Sequence, residues 1–417
     1  MSSISKNVIR FFKLAGINKR KDVEFFWKNI EKQFGNLGRS FREAIAARSD
    51  GQAVNPYEVR DASLELSLAV YSQYEADFAS GLMSWIEEVE IEVPKRVLDI
   101  GCGNGVIACF MANLWPDTHV TGIDTSLNSI RCAEELARKL KLGNVKFEFG
   151  NAKDYFAKYN QSDIDMVLTS KVLQEVFTEE VGGFDLACPE DAFDTYEEIE
   201  RLPELSANLI EFLNGVKAVL SDNGKYISVD RCGIPAAYVF LCRHFKEAGL
   251  GLIPARCEKI VGEDVGGYKE SFPLSFLKKT PLAAEPSTEI IISLHKKMLL
   301  SEKLECINPV DGFVAEALYL AIGDKRPVHE AELIYRNGSG IMKMHLFHSE
   351  ILAGVYKTTS RGMRQLEIVP LAEASAVVDA YFNEISKLSE YCDINENVSL
   401  DSSLLNQLGL EVVQSKA

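Results

Sequence analysis

The sequence predicts an α/β protein: a doubly wound, mostly parallel sheet, led by helices and followed by a smaller α+β module. Three observations carry this. From residue 95, short apolar runs alternate with helix-length amphipathic runs, the pattern of a parallel sheet covered by helices on both faces. The first of those runs enters "VLDIGCGNGVIACF", Val97 to Phe110, where three glycines stand between a strand and a helix. After "TPLAAEPST", residues 280–288, the alternation gives way to successive strand-like runs and one helix. At 417 residues the chain exceeds one ordinary domain, and two or three modules are expected.

In chain order, residues 4–47 read as helices. Ile4, Val8, Phe11 and Ala15 share one face, and "DVEFFWKNIEKQF" is again amphipathic. Asn55-Pro56 breaks the pattern, and one helix is expected from "SLELSLAVYSQYEADFASGLMSWIEEV" up to Pro94. Val97–Ile100 is a strand and Val106–Leu114 a helix ended by Pro116. His119–Ile123 is a strand, followed by a helix capped by Ser126 and closed by Gly143-Asn144. Val145–Phe149 and Ile164–Leu168 are strands. A long helix runs from about Glu204 to Leu220, with Gly224 as its left-handed stop. Tyr226–Val229 is a strand and Ala236–Ala248 a helix. "CEKIV" and "SFPLSFL" are two strands in succession, so one of them turns antiparallel. Beyond the linker, "AELIYRNGSGIMKMHLFHSEILAGVYKTTSRGMRQLEIVP" reads as four strands with "NGSG" as a hairpin turn, and "LAEASAVVDAYFNEISKL" as a helix. The expected modules are a helical segment at 1–60, the sheet domain at 61–282 and the α+β module at 283–417.

Charge and composition exclude several roles. The net charge is −16, yet residues 1–21 hold six bases and no acid, so the acidity is concentrated in the body. An acidic body repels phosphate backbones, and nucleic acid is not expected as a partner. No apolar run is long enough to cross a bilayer, so no membrane partner is expected either. The nine cysteines show no CxxC and no zinc spacing. They read as reduced core thiols of a cytoplasmic protein, and no metal is expected. His345 and His348, three apart on a strand, face opposite sides and do not share an ion.

A Gly-rich turn between a first strand and its helix cradles a nucleotide-like ligand through backbone N–H groups. A nicotinamide dinucleotide site requires G-x-G-x-x-G, which would put the third glycine at 106. Here the glycines fall at 101, 103 and 105, and position 106 is Val. Asp99 stands two residues before the first glycine. A pyrophosphate gains nothing from that carboxylate, whereas a ligand with a positive end does.

"VLDIGCGNG" resembles the first motif of the class I S-adenosylmethionine-dependent methyltransferases, a family with a seven-stranded Rossmann-like sheet. Further segments resemble that family in the same order: "VTGIDTS", "FEFGNAKDY", "IDMVLTSKVLQEV", "AVLSDNGKYISVD" and the closing pair "CEKIV…SFPLSFL". The resemblance covers roughly residues 95–280. It implies S-adenosyl-L-methionine as cofactor, with Asp99, Gly101, Gly103, Asn104 and Gly105 around its methionine part. It implies Asp124 on the ribose hydroxyls, Thr125 against the adenine, Asn151 and Ala152 in the adenine loop, and Ser170 in the motif beside the sulfonium. The family commonly has Asp where this chain has Asn151; Asn keeps a carbonyl acceptor for the adenine amine.

The expected reaction is in-line displacement of the methyl group onto a small-molecule acceptor, leaving S-adenosylhomocysteine. Alignment of the reactants alone supplies on the order of 7–11 kcal/mol. The fourth-strand motif lacks the Asp/Asn-Pro-Pro-Tyr/Phe of enzymes that methylate adenine or glutamine amides. It also lacks a Pro-Cys nucleophile for cytosine C5, since Cys188-Pro189 is reversed and far downstream. Glu175 and Tyr74 are the candidate catalytic residues, with Tyr71, Asp230 and His244 behind them. Residues 175–204 hold eleven acids and one base, Arg201, which reads as a solvated insertion or an acidic cover over a cationic acceptor. The C-terminal module is expected to pair two copies of the chain, or to cover the acceptor. Two other readings remain open at this point: a nicotinamide-dependent oxidoreductase, and a non-catalytic protein that binds the cofactor as a scaffold.

Overall fold

The computed structural model describes residues 5–18, 23–49, 54–89, 92–159, 161–173, 176, 203–230, 235–263, 269–280, 310–311, 315, 319, 322, 325–349 and 352–398. The chain divides into two compact units. The first is Met1–Gly183 with Glu204–Cys232 and Arg243–Glu285; the second is Phe184–Pro203, Gly233–Cys242 and Pro286–Ala417.

The first unit opens with six helices: α1 (Lys6–Ala15), α2 (Val23–Phe34), α3 (Asn36–Ser49), α4 (Pro56–Arg60), α5 (Leu64–Tyr74) and α6 (Ala76–Glu88). Ser5 caps α1, accepting from the Asn7 N–H at 3.1 Å, and Gly16 ends it in a left-handed turn. The apolar face read from the sequence is the one that is buried. Val8, Phe11 and Ala15 join the core of the sheet, with Phe11 edge-on to Phe110 at 5.4 Å. The single helix expected over the stretch that begins at Ser63 is two, broken at Glu75 (φ −117°, ψ −15°), and the short α4 precedes them.

The sheet alternates as expected: β1 (Arg96–Ile100), α7 (Val106–Leu114), β2 (His119–Asp124), α8 (Leu127–Leu140), β3 (Val145–Phe149), α9 (Ala152–Lys158), β4 (Ile164–Ser170), α10 (Pro203–Val219), β5 (Leu220–Val229), α11 (Pro235–Glu247), β6 (Gly251–Leu252), β7 (Glu258–Glu263) and β8 (Lys269–Lys278). The order across the sheet is β3-β2-β1-β4-β5-β8-β6, with β7 also on β8. β1 to β5 run parallel and β8 turns antiparallel against β5. The sheet has eight strands where seven were expected. β8 is ten residues long and takes β6 beside Lys278 and β7 beside Leu274 along the same edge, so two short strands share the last position.

Two expected stops move. α8 ends on Lys141, left-handed at φ 57°, rather than on Gly143-Asn144, because the Lys141 N–H already closes onto the carbonyls of Ala137 and Arg138. Gly224 does not stop a helix. β5 begins directly after α10, Ile164 pairs with Leu220 and Met166 with Lys225, and residues 221–224 bulge from the strand. A Cβ at Gly224 would lie 2.8 Å from the Ser221 carbonyl oxygen, so the bulge itself requires glycine.

In the second unit, β9 (Val310–Asp311), β10 (Arg326–Tyr335), β11 (Ile341–His348), β12 (Leu352–Thr359), β13 (Arg364–Pro370) and β14 (Cys392–Val398) form an antiparallel sheet in the order β14-β10-β11-β12-β13-β9. The four predicted strands are its centre. α12 (Ala374–Leu388) lays Val377, Val378, Tyr381 and Ile385 on Ala331, Leu333, Met344 and Leu346. His345 bonds Glu330 and His348 the Ser349 carbonyl, so the two rings hold no common group.

Candidate functional site

The loop between β1 and α7 lies at the C-terminal edge of the parallel strands. Gly101, Gly103 and Gly105 all have left-handed backbones, φ 70°, 54° and 75°. Their surroundings differ. A Cβ at Gly101 would come within 2.3 Å of Val172, and one at Gly105 within 2.6 Å of Ala133 and 2.8 Å of Phe147. At Gly103 the nearest atom is Arg60 Nη2 at 3.9 Å. Gly101 and Gly105 therefore let the loop press against its own fold, and Gly103 is the position open to a ligand. α7 starts at Gly105 with no side-chain cap, leaving first-turn N–H groups at the same edge.

Asp124 ends β2 and holds the loop. Its Oδ2 accepts from the Gly103 N–H and its Oδ1 from the Ser126 N–H, both at 2.8 Å. Ser126 caps α8 by accepting from Ser129, as the sequence suggested. Burial raises the Asp124 carboxyl, and those two N–H bonds and Arg60 work against that rise. Asp99, in β1 beneath the loop, is 2% exposed, and its Oδ2 is buried with no hydrogen-bond donor. Burial first, and the charge of Asp124 second, push its carboxyl up to about 8. A cation brought beside Asp99 would lower its carboxyl again.

Sequence reasoning missed a hub beside these groups. Arg60 closes α4 and forks onto Asp61, Nε to Oδ1 at 2.6 Å and Nη2 to Oδ2 at 2.5 Å. Asp61 also accepts from Ser67 Oγ at 2.6 Å and Ser129 Oγ at 2.5 Å, and Asn104 donates to Ser67 at 2.8 Å. The Gly loop, α4, α5 and α8 thus meet on one buried carboxylate. Burial lowers the Arg60 guanidinium, and its hydrogen bonds and charge contact with Asp61 outweigh that, so it is raised overall. Nothing in the pattern "VRDASLELS" marks Asp61 as buried.

The remaining predicted residues divide. Asp99, Gly101, Gly103, Gly105 and Asp124 meet at the loop, while the Asn104 side chain turns inward to Ser67. Thr125 is exposed just past Asp124, and Ser170 closes β4 at the same edge of the sheet. Asn151 caps α9, with Oδ1 accepting from the Asp154 N–H at 2.7 Å, and Ala152 is the first residue of that helix. Tyr74 packs its ring edge-on against Phe26 at 5.3 Å and Trp27 at 6.5 Å. Tyr71, one turn earlier, shares the electrostatic neighbourhood of the loop. Burial raises its hydroxyl, Glu75 and Asp99 add to the rise, and Arg60 opposes it. Asp230 is buried, bonding the Leu173 N–H and Ser228 Oγ, and His244 is buried in α11. Glu175 and the acidic stretch lie outside the described residues, apart from Val176, Pro203 and Glu204.

Among the described residues no cluster could hold a metal ion, and no helix is long and apolar enough to cross a membrane. The six described cysteines are free thiols. A groove lined by Arg96, His119, Lys146, Tyr155 and Tyr159 lies at the opposite, N-terminal edge of the strands. Its bases are paired, Arg96 with Asp163 and Lys146 with Glu148.

Residues 91–248 match a family described as a methyltransferase domain. Among curated proteins, the chain is 26% identical over 126 residues to (S)-tetrahydroprotoberberine N-methyltransferase of Eschscholzia californica, covering 30% of this chain and 33% of that one. It is 34% identical over 65 residues to trans-aconitate 2-methyltransferase of Rhodopseudomonas palustris, covering 16% and 25%. It is 36% identical over 75 residues to ribosomal RNA large subunit methyltransferase G of Streptomyces griseus, covering 18% and 19%. The matches thus span a third or less of the length of these relatives. Of solved structures, a SAM-dependent methyltransferase from Methanosarcina mazei aligns with 47% of this chain and 98% of its own, at 17% identity and a TM-score of 0.35.

Proposed function

We propose that this chain, whose residues 91–248 match a methyltransferase domain family, takes S-adenosylmethionine as cofactor and methylates a small molecule. The observation that carries the reading is Asp99: a buried carboxylate oxygen without a donor, beneath a loop that is open to a ligand only at Gly103. That pair suits an amino-acid end, with an ammonium for Asp99 and space for a chain crossing the loop.

Bound there, the cofactor supplies a methyl group on a positively charged sulfur. The side chains bind and orient. Asp99 takes the ammonium, and Arg60, the nearest group to the open face of Gly103, stands where a carboxylate would be met. Asp124 keeps lone pairs for a ribose diol beyond the two N–H bonds it already accepts. The acceptor enters over the end of β4, beside Ser170 and Tyr71. Two relatives are named for small-molecule methylation, and the −16 charge of this chain opposes an RNA acceptor.

Two measurements test the proposal. Calorimetry should show binding of S-adenosylhomocysteine that Asp124→Ala abolishes or sharply weakens; equal affinity in the variant refutes the site. Labelled methyl transfer from S-adenosylmethionine into fractionated cell extract should mark the small-molecule pool. Label confined to the RNA or protein pool refutes the acceptor class.

A further inference from the structure

We propose that Glu75 and Lys171 form a positioning pair that sets the wall of the site facing the cofactor's methionine end. The proposal rests on the cofactor reading above.

Lys171 directly follows β4 and is one of two described non-glycine residues with a left-handed backbone, φ 59°. Such a backbone persists where the surroundings over-determine it. Here they do. The Lys171 N–H donates to the Val229 carbonyl at 2.8 Å. Its Nζ donates to Glu75 Oε2 at 2.6 Å and stands 4.2 Å and 4.6 Å from the ring centres of Phe78 and Phe272. One side chain thereby joins the α5–α6 break, α6, and β8 to the end of β4. Val172, the next residue, fills the space beside Gly101 that a Cβ there would need.

Glu75 is where the helix breaks, and Tyr71 lies one turn before it on the same face of α5. The charged neighbours of Tyr71 are Glu75, Arg60 and Asp99. The Lys171–Glu75 bond ties the break, one turn from Tyr71, to the turn that places Val172 against Gly101. The ring of Tyr74, three residues on, is committed to Phe26 and Trp27. A surface ion pair would have no such consequence: Lys153–Glu211, at 3.0 Å, has both side chains more than half exposed.

The test uses the full chain and S-adenosylhomocysteine. Glu75→Gln and Lys171→Met should each weaken binding about tenfold, and the double variant should be no weaker than either single one. Lys171→Arg, which keeps the charge and the aromatic contacts, should bind within about twofold of the parent, as should the control Lys153→Met. Tyr71→Phe should weaken binding in the parent but add nothing in Glu75→Gln, a coupling that a merely structural ion pair would not produce. Parent-like affinity in Glu75→Gln and Lys171→Met overturns the pair, as do losses that simply add. If Asp124→Ala loses binding while Glu75→Gln does not, the pair alone fails. If the parent does not bind S-adenosylhomocysteine, the cofactor reading fails and takes the pair with it.

Discussion

With Asp99 as the partner of the cofactor's ammonium, as proposed above, binding should release a proton. Its carboxyl is pushed up to about 8 by burial and by Asp124, so near pH 7 it is about nine-tenths protonated. An ammonium at hydrogen-bond range offers about 4 kcal/mol at a moderate local dielectric. That exceeds what is needed to ionise the carboxyl at neutral pH, since each pKa unit is worth about 1.4 kcal/mol. Binding should therefore expel about 0.9 proton from Asp99. The ammonium of the ligand stands beside its own carboxylate and is already almost fully protonated at pH 7, so it takes up almost nothing and the net release stays close to that figure. Near pH 9 Asp99 has already lost its proton, and the release should fall away. Titrating S-adenosylhomocysteine in buffers of different ionisation enthalpy measures both numbers. Asp99→Asn should abolish the release. Stability gives a second readout. The raised carboxyl keeps in the fold a proton that the unfolded chain has lost, so the ligand-free protein loses stability as pH rises from about 4 to about 8, and Asp99→Asn removes that slope. Enthalpies independent of buffer at both pH values, or a release that survives Asp99→Asn, would refute the reasoning.

Asp124→Ala removes two prospective bonds to the ribose, each worth roughly 1.5–3 kcal/mol, and should cost S-adenosylhomocysteine binding about a hundredfold or more by calorimetry. The glycines should separate by function. Gly105→Ala meets Ala133 and Phe147 on a left-handed backbone and should lower the melting temperature by an amount equivalent to roughly 1–3 kcal/mol. Gly103→Ala meets no close atom, should cost only about 1–2 kcal/mol of backbone strain, and should lose far more in binding than in stability. Asp61→Ala leaves Arg60 without its carboxylate and should destabilise the protein by about 3–5 kcal/mol in denaturant titration. A loss below about 1 kcal/mol would show that Asp61 is not the hub of the helices around the loop.

The sheet was legible because its signals are local. Val97–Ile100, three glycines and an apolar run ended by Pro116 state the first crossover without help from distant residues, and the same holds down to Val229. What escaped depends on partners far apart in the chain. The break at Glu75 is held by a lysine 96 residues away, and a helical periodicity has no means of announcing it. The Arg60–Asp61 hub draws Ser129 from 68 residues away, so nothing near Asp61 in the sequence marks it. Tyr71 and Tyr74 lie three apart on one helix, and the sequence could not say which faces the loop. Phe26 and Trp27, from α2, decide it by taking Tyr74. Gly224 was read as a stop because a glycine after a helix has that meaning more often than a bulge inside the next strand does.

The charges around the loop sharpen the choice of ligand. Three carboxylates, Asp61, Asp99 and Asp124, share the neighbourhood with one guanidinium. Asp61 is satisfied by Arg60, Ser67 and Ser129, and Asp124 by two backbone N–H groups. Asp99 alone has a buried oxygen without a donor. A pyrophosphate brought to this loop would meet three acids, and its charge would raise Asp99 further. A ligand carrying a positive amino end and a diol does the reverse, supplying a donor to Asp99 and to the remaining lone pairs of Asp124. The glycine spacing and the acids beneath the loop thus act together against a pyrophosphate. Asp99→Asn should therefore lose S-adenosylhomocysteine while binding a reduced nicotinamide dinucleotide at least as well as the parent does. Fluorescence titration showing tighter dinucleotide binding in the parent than in the variant would overturn this account of the site.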